Sequence, residues 1–377
     1  MPGSSEPFNL GYRPALDGLR AVAVLAVLVY HAGWIPGGFL GVDVFFTLSG
    51  FLITTLLCQE HARTGTISIG RFYVRRARRL LPALVVFLLV CGGILFAMRP
   101  PAVWPIVGGY LLAVLSYGAN WLIIYWRELS VFGHTWSLAI EEQFYLAWPV
   151  LLLGLLRGAR ARWIAAGLVT AAAGSLTWRL TLAFAQASFP RVYVGTDTHA
   201  DGLLLGAALA LWLRHRKVGG PAGSLGRAAG TIAALGLLGL FVSAPLRPGY
   251  VLGVTFLAAC ATGGLILDIL AGGSWVTRRL ESGWLVRIGW ISYGLYLWHL
   301  PVFVQLGILR QPGQAAAPLG RTLLALALSV AIAGLSYWLV ERRFLACKAR
   351  LRASPEIEPA RAALTPPATD NGVSVSL

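Results

Sequence analysis

The first apolar segment of the chain carries two ionisable residues, Arg20 and His31, with no charged residue between them. The eleven helical steps that separate them turn through about 1100°, so both side chains lie on one face, roughly 16 Å apart along the axis. Ionisable groups inside a membrane are costly and usually line a polar site. Arg20 could instead extend to the lipid headgroups, whereas His31 lies at the far end of the apolar run, and histidine is suited to proton transfer near neutral pH. The pair therefore predicts acid–base or nucleophilic chemistry within a membrane, with His31 as its centre.

Asp43 lies among apolar residues near the start of the second apolar segment, GGFLGVDVFFTLSGFLITTLL. A buried carboxylate is unfavourable unless a cation or a hydrogen-bond donor partners it, and we expect His31 or an arginine to do so. We predict that Asp43 or Glu141 orients the His31 imidazole. We also predict that these three residues and Arg20 face one shared polar cavity, which would solvate them together.

A third polar group occurs in the segment HTWSLAIEEQFY. On a helix, His134, Ser137 and Glu141 share one face, and Tyr145 follows Glu141 by one turn. We predict that Glu141 is catalytic and that His134, Ser137 and Tyr145 contact substrate. Alternatively, both glutamates lie at the membrane interface as helix N-terminal acids, which fits Glu142 better than Glu141.

Four arginines occur within five residues of the segment RFYVRRARRLLP and form what we call the arginine cluster: Arg75, Arg76, Arg78 and Arg79. Guanidinium groups grouped on a helix suit bidentate contacts with phosphate. The cluster therefore predicts a phosphate-bearing cytosolic ligand. The alternative is a topological signal beside anionic lipids.

His299 is a weaker candidate, in the segment ISYGLYLWHLP. It follows Tyr296 by one helical turn, and a single interior histidine is more often a packing residue, so we expect at most a contact with substrate. The four cysteines are scattered and are typical of small buried apolar residues. No ligand spacing typical of a metal site occurs, so the sequence predicts no metal.

Composition indicates a helical membrane protein. The chain has 377 residues, of which 57% are hydrophobic and only 12% charged, and its mean hydropathy is +0.71. The net charge of +16 comes largely from arginines in short loops between apolar spans, as the positive-inside rule describes. It is therefore no indication of nucleic-acid binding, and membrane lipids are the expected surroundings.

Hydropathy and arginine placement predict an all-α, polytopic bundle with about ten crossings and both termini in the cytoplasm. The predicted crossings are about 17–34, 38–58, 79–98, 136–156, 163–187, 198–213, 229–245, 249–271, 285–309 and 319–340. The stretch 102–126 contains proline, glycine and asparagine and is predicted to be re-entrant or broken; eleven crossings are the alternative. Residues 1–15 are predicted to form an N-terminal cytoplasmic segment, 16–345 the membrane domain, and 346–377 a disordered cytoplasmic tail.

Five motifs in this order resemble the acyltransferase-3 family of bacterial membrane O-acyltransferases. They extend over residues 12 to about 345 and read DGLRAVAVLAVLVYH, FLGVDVFFTLSGFLIT, RFYVRRARRLLP, HTWSLAIEEQFYLAWP and ISYGLYLWHLPV. The family pattern implies an arginine and a histidine with ten residues between them, matched by Arg20 and His31. It also implies contact between the arginine cluster and an acyl-CoA donor, and a functional glutamate that matches Glu141.

The resemblance implies transfer of an acetyl or other short acyl group from cytosolic acyl-CoA, most simply acetyl-CoA, to a sugar hydroxyl at a bacterial cytoplasmic membrane. Acceptors in the family include cell-surface glycans, glycolipids and macrolides. We expect His31 to act as general base or as transient acyl carrier, and Arg20 to steady the donor or the developing negative charge. A proton-coupled transporter or lipid flippase is the alternative class, although we find no internal repeat of the kind such proteins show.

Overall fold

A computed structural model describes residues 10–126, 130–214, 222–246, 248–310 and 314–344. All regular structure in these ranges is helical, so the predicted all-α class is confirmed. The predicted tail and most of the predicted N-terminal segment lie outside the described residues. The helices are, in chain order, α1 (Pro14–His31), α2 (Gly41–Thr64), α3 (Ile69–Met98), α4 (Trp104–Leu115), α5 (Ala119–Trp126), α6 (Thr135–Gly158), α7 (Ala161–Phe184), α8 (Phe189–Val194), α9 (Thr196–His199), α10 (Asp201–Leu213), α11 (Ala222–Ser243), α12 (Pro248–Ala271), α13 (Trp275–Leu280), α14 (Gly283–Trp290), α15 (Ser292–Gln305) and α16 (Leu319–Ser336).

Seven helices in the described ranges are long and apolar enough to cross a membrane: α1, α2, α3, α6, α11, α12 and α16. The polytopic membrane bundle is therefore confirmed, but the predicted count of ten crossings is not. Two of the predicted crossings are shorter in the structure. The helix α10 has 13 residues, and the predicted crossing 285–309 is divided at Ile291 into α14 and α15.

The arginine cluster lies on a helix, as its predicted shared faces require. The helix α3 begins at Ile69 and continues for 30 residues through Pro82 to Met98. It therefore begins before the predicted crossing 79–98, because arginines lower the local hydropathy but their long straight side chains are good helix formers. As a result, the four arginines of the cluster point to different sides of one helix.

The predicted break within residues 102–126 is present. The helix α4 ends at Leu115 and α5 begins at Ala119. Between them, Tyr117 adopts a positive φ of 56°, and the amide of Gly118 donates to the Ala113 carbonyl at 2.7 Å. A positive φ is unusual for a bulky residue and ends the regular helix there.

Helices α2 and α10 cross in close contact because glycines lie at their interface. A Cβ on Gly50 would overlap the backbone carbonyl of Leu203, and a Cβ on Gly206 would overlap that of Thr47. Small residues at such positions let membrane helices approach closely. This contact places the beginning of α10, and the short helix α9 before it, against α2.

Candidate active site

Two cavities lie along helix α1, one at each of its predicted functional residues. The first, which we call the glutamate cavity, has a volume of about 130 Å³. Side chains from α1, α2, α3, α6 and α15 line it, including Arg20, Ser49, Arg76, Arg79, Glu141 and Tyr296. It contains the arginine and the glutamate that the sequence singled out, but His31 does not line it.

Only half of the arginine cluster faces the glutamate cavity. Arg76 and Arg79 line it, whereas Arg75 pairs with Glu60 at 3.2 Å and Arg78 is exposed. Residues three apart share a helix face, which explains the division. The arginine cluster was predicted to act as one group, but in the structure only Arg76 and Arg79 line the cavity.

Glu141 accepts hydrogen bonds from two hydroxyl groups. The Tyr145 hydroxyl donates to its Oε1 at 2.5 Å, and Ser49 donates to the same oxygen. Arg76 lies 3.7 Å from the centre of the Tyr145 ring and pairs with Glu142 at 2.8 Å. The two adjacent glutamates therefore take different roles: Glu142 neutralises an arginine, and Glu141 presents a carboxylate to the cavity.

The second cavity, which we call the histidine cavity, has a volume of about 540 Å³. That volume lies within the range of roughly 300–1,000 Å³ typical of small-molecule sites. His31 and His134 line it together with Arg310 and a wall rich in aromatic residues: Tyr30, Phe39, Trp136, Phe189, Tyr193 and Tyr296. The structure thus places His31 at the end of α1 opposite to Arg20.

Three imidazole rings meet at this end of the molecule. The centre of the His299 ring lies 5.1 Å from that of His31 and 5.1 Å from that of His134. One nitrogen of each ring approaches a backbone carbonyl: Nδ1 of His31 at 3.0 Å from Val27, Nε2 of His134 at 3.1 Å from Leu297, and Nδ1 of His299 at 2.7 Å from Tyr296. Nothing in the sequence indicated that these three histidines lie close together.

The carbonyl contacts fix the proton positions on the neutral rings. A carbonyl oxygen only accepts, so the nitrogen beside it carries the hydrogen and the other nitrogen keeps a lone pair. In His134 and His299 that second nitrogen is buried without a hydrogen-bond partner. In His31, the same reasoning makes Nε2 the proton acceptor, as a general base requires.

Asp43 does not orient His31, so the predicted pairing is wrong. Asp43 is 1% exposed, and its Oδ1 lies 2.9 Å from Nε2 of His199. The ring of His199 packs against Trp136 and Tyr193, with centroid distances of 5.3 Å and 4.9 Å. Asp43 therefore supports the aromatic wall of the histidine cavity from behind, because α9 lies against α2 at this depth.

The prediction that His31, Asp43, Glu141 and Arg20 share one cavity is also wrong. Arg20 and Glu141 line the glutamate cavity and His31 lines the histidine cavity. Asp43 lines neither. Arg20 and His31 can share a helix face, but about three turns of helix lie between them. Each residue therefore lines a different cavity.

Val42 and Tyr296 line both cavities, so the cavities adjoin at these two residues, which we call the septum. The Tyr296 hydroxyl lies 2.6 Å from Oγ of Ser137 and donates to the His134 carbonyl at 2.8 Å. These hydrogen bonds connect α15 to the start of α6 at the septum. Ser137 was predicted to contact substrate, whereas no function was predicted for Tyr296.

Ion pairs also tie the outer helices to the bundle. Arg179 and Asp201 pair at 2.8 Å and are almost completely buried. Outside the long apolar helices, Asp197 accepts hydrogen bonds from Arg191 at 2.5 Å and from Trp178 at 2.8 Å. Burial raises the pKa of Asp197, but these hydrogen bonds outweigh burial and hold the pKa below its ordinary value.

No group of three or more His, Cys, Asp or Glu side chains in the described ranges is arranged to hold a metal ion. The residues that line the two cavities instead offer guanidinium groups, two carboxylates and imidazole lone pairs. Such a set suits the binding of an anionic ligand on one side of the septum and the removal of a proton on the other.

Comparison with known proteins agrees with the motif order. The acyltransferase domain model of the acyltransferase-3 family matches residues 13–340. "Putative O-acetyltransferase SAS0844" of Staphylococcus aureus strain MSSA476 is 34% identical over 360 residues, which cover 91% of this chain and 59% of that protein. "O-acetyltransferase OatA" of S. aureus strain NCTC 8325 is 34% identical over 354 residues, covering 88% of this chain and 57% of that protein. The chain thus spans less than two thirds of the length of these relatives, and no solved structure is significantly similar to it.

Proposed function

This chain belongs to the acyltransferase-3 family, and we propose that it is a membrane O-acyltransferase. It moves an acetyl or other short acyl group from cytosolic acyl-CoA, most simply acetyl-CoA, to a hydroxyl of a sugar-containing acceptor. The names of its relatives as O-acetyltransferases support the acyl group. The observation that carries the proposal is the pair of adjoining cavities, one rich in arginine and one containing His31.

The glutamate cavity suits the donor. Its charged side chains are four arginines and two carboxylates, a balance of +2: Arg13, Arg20, Arg76, Arg79, Asp17 and Glu141. Guanidinium groups bind phosphate in bidentate fashion, and the coenzyme carries its phosphates at one end and its thioester at the other. The small volume of the cavity, about 130 Å³, suits the narrow arm that bears the thioester. Because the arginine cluster marks the cytoplasmic side, this cavity faces the cytosol.

The histidine cavity suits the acceptor. Nε2 of His31 takes the proton of the acceptor hydroxyl, the hydroxyl oxygen attacks the thioester carbon, and the carbon–sulfur bond breaks. The leaving thiolate then receives the proton from His31, which returns to its neutral form. The reacting carbonyl lies at the septum, beside Tyr296. Transient acylation of His31 is the alternative, and ping-pong kinetics would identify it.

Two other functions are less well supported. A macrolide or another secondary metabolite could supply the hydroxyl instead of a cell-surface glycan, because the aromatic wall would accept either. A proton-coupled transporter or lipid flippase is the alternative class, but the match of an acyltransferase domain to residues 13–340 favours acyl transfer.

The test is transfer of labelled acetyl from acetyl-CoA by the purified full chain in detergent, with bacterial envelope glycans as acceptors. We expect acetyl esters on sugar, and a loss of about 100-fold or more in rate for His31→Ala, because removal of a general base typically has that effect. His61→Ala is the matched control, since His61 lies near the end of α2 and lines neither cavity. Equal rates for the two variants would refute the role of His31, and no transfer to any acceptor would refute the proposed function.

A further inference from the structure

We propose that the acceptor is an anionic sugar, whose carboxylate or phosphate group binds Arg310 while its hydroxyl meets His31. This inference rests on the proposed function and names the class of its acceptor. Three observations support it: the position of Arg310 beside His31, the charge of the histidine cavity and the aromatic wall of that cavity.

Arg310 is attached to the same end of α1 as His31. Its backbone amide donates to the His31 carbonyl at 2.8 Å, and Arg310 lines the histidine cavity. The guanidinium hydrogen bonds that the structure describes go from Nη1 to the carbonyls of Gly307 at 3.1 Å and Leu309 at 3.4 Å. Because a guanidinium has five N–H groups, donors remain for a ligand.

The histidine cavity carries an unbalanced positive charge. Arg310 is the one formally charged side chain among the residues described as lining it, and no carboxylate accompanies it there. No ion pair joins Arg310 to any acidic residue in the described ranges. The glutamate cavity differs, because Asp17 and Glu141 oppose its arginines. A lone guanidinium in a cleft with low-dielectric walls attracts an anion.

The aromatic wall explains why the anion would belong to a sugar. Trp136 and Tyr193 lie 5.1 Å apart, and Tyr193 stacks on Phe189 at 5.5 Å. Such rings offer wide apolar faces next to polar tips, which suits the C–H faces of a pyranose whose hydroxyl groups point elsewhere. His199, held by Asp43, packs behind Trp136 and keeps the wall in place.

The proximity of Arg310 to His31 places the anionic group and the reacting hydroxyl on the same sugar unit. The two residues are joined through a backbone hydrogen bond and line one cavity of about 540 Å³. A charge on a distant unit of a polymer would lie outside this volume. The inferred class is therefore a uronic acid, another acidic sugar or a sugar phosphate.

The experiment compares three matched acceptors with the full chain in detergent: methyl glucoside, methyl glucuronide and methyl glucoside 6-phosphate. Acetyl transfer from labelled acetyl-CoA is measured with wild type, Arg310→Gln and Arg310→Lys. We expect KM for the anionic glycosides to be about 10-fold or more below that of the neutral one, as a charged hydrogen bond provides. Arg310→Gln removes this difference and Arg310→Lys retains part of it. The acetyl-CoA KM stays unchanged, and the two anionic glycosides distinguish carboxylate from phosphate.

Arg321→Gln is the control, because Arg321 is exposed at the start of α16 and lines neither cavity. Equal KM values for the three glycosides, or an anion preference that survives in Arg310→Gln, would overturn the inference while leaving the transferase activity in place. If no glycoside is acetylated, the assay with envelope glycans decides the proposed function separately, and equilibrium dialysis with the same labelled glycosides decides the binding site. Tighter binding of the anionic forms that Arg310→Gln abolishes would support it, and equal binding would overturn it.

Discussion

Replacement of Arg79 by glutamine should weaken the use of acetyl-CoA strongly. Arg79 lines the glutamate cavity and, among the described residues, forms no ion pair. Its N–H groups, which donate no hydrogen bond to another described residue, can bind a phosphate in a cavity that Asp17 also lines. A hydrogen bond to a charged group contributes about 1.5–3 kcal/mol, and each 1.4 kcal/mol corresponds to a factor of ten. The expected increase in KM for acetyl-CoA is thus about 10- to 100-fold.

The matched control is Arg78→Gln, which removes the same charge one position earlier. Arg78 is exposed on the outer side of α3, so its substitution should change KM by less than about threefold, the effect of a screened surface charge. The assay is the initial rate of labelled acetyl transfer against acetyl-CoA concentration at saturating acceptor. The salt dependence of KM is measured in parallel.

Two results would refute this reasoning. Equal increases in KM for Arg78→Gln and Arg79→Gln would mean that the arginine cluster acts as a diffuse surface charge and not as a site. An unchanged acetyl-CoA KM in Arg79→Gln with a raised acceptor KM would mean that the glutamate cavity does not receive the donor. Arg76 is less suitable for the test, because its loss leaves Glu142 without its partner and so risks misfolding.

The remaining predictions concern three other residues. His299→Asn should lower kcat by up to about tenfold with the acetyl-CoA KM unchanged, because it disturbs the hydrogen bond from Nδ1 to the Tyr296 carbonyl, worth about 1 kcal/mol, which holds the ring beside His31; an unaltered kcat would make it a packing residue. Arg179→Leu should lower the free energy of unfolding in detergent by about 3–5 kcal/mol, since it leaves Asp201 buried and unpaired; a second substitution, Asp201→Leu, should restore much of it. Asp197→Asn should lower the melting temperature at pH 7, and the difference from wild type should shrink as pH falls below about 3.9: the lowered pKa of Asp197 adds stability above its unfolded value of about 3.9, and that contribution disappears as pH falls through the folded pKa.

Much of the fold follows from the order of apolar segments. The break in residues 102–126 was predictable from Gly118 and its neighbours, because glycine disfavours a helix interior, whereas Pro105 lies in the first turn of α4, where proline is tolerated. Hydropathy predicted the crossing 79–98, whereas the helix that contains it begins ten residues earlier, at Ile69. The longer helix matters for the site, because its rotation about its own axis determines which arginines of the cluster face inward, and that rotation depends on the neighbouring helices.

The residues of the site were predictable from the sequence, but their interaction partners were not. His31 and Glu141 both line cavities, as expected. The partner of Asp43 proved to be His199, 156 residues away, through a contact that depends on the close crossing of α2 and α10. No local spacing indicates such a pairing. Arg310 was missed for the same reason, since its proximity to His31 arises only when the loop after α15 reaches the end of α1.

The septum of Val42 and Tyr296 has an electrical consequence under the proposed function. The proton leaves a hydroxyl on the histidine side and ends on the coenzyme thiol on the opposite side. The acyl group passes the other way as the equivalent of an acyl cation, because its bonding electrons stay on the sulfur. The two movements cancel, since a neutral thioester becomes a neutral thiol on one side and a neutral hydroxyl becomes a neutral ester on the other. A potential of 100 mV is worth about 2.3 kcal/mol for each charge that crosses. Acetylation in proteoliposomes should therefore be indifferent to an imposed inside-negative voltage, and acceleration under that voltage would mean that a proton crosses without the compensating acyl group.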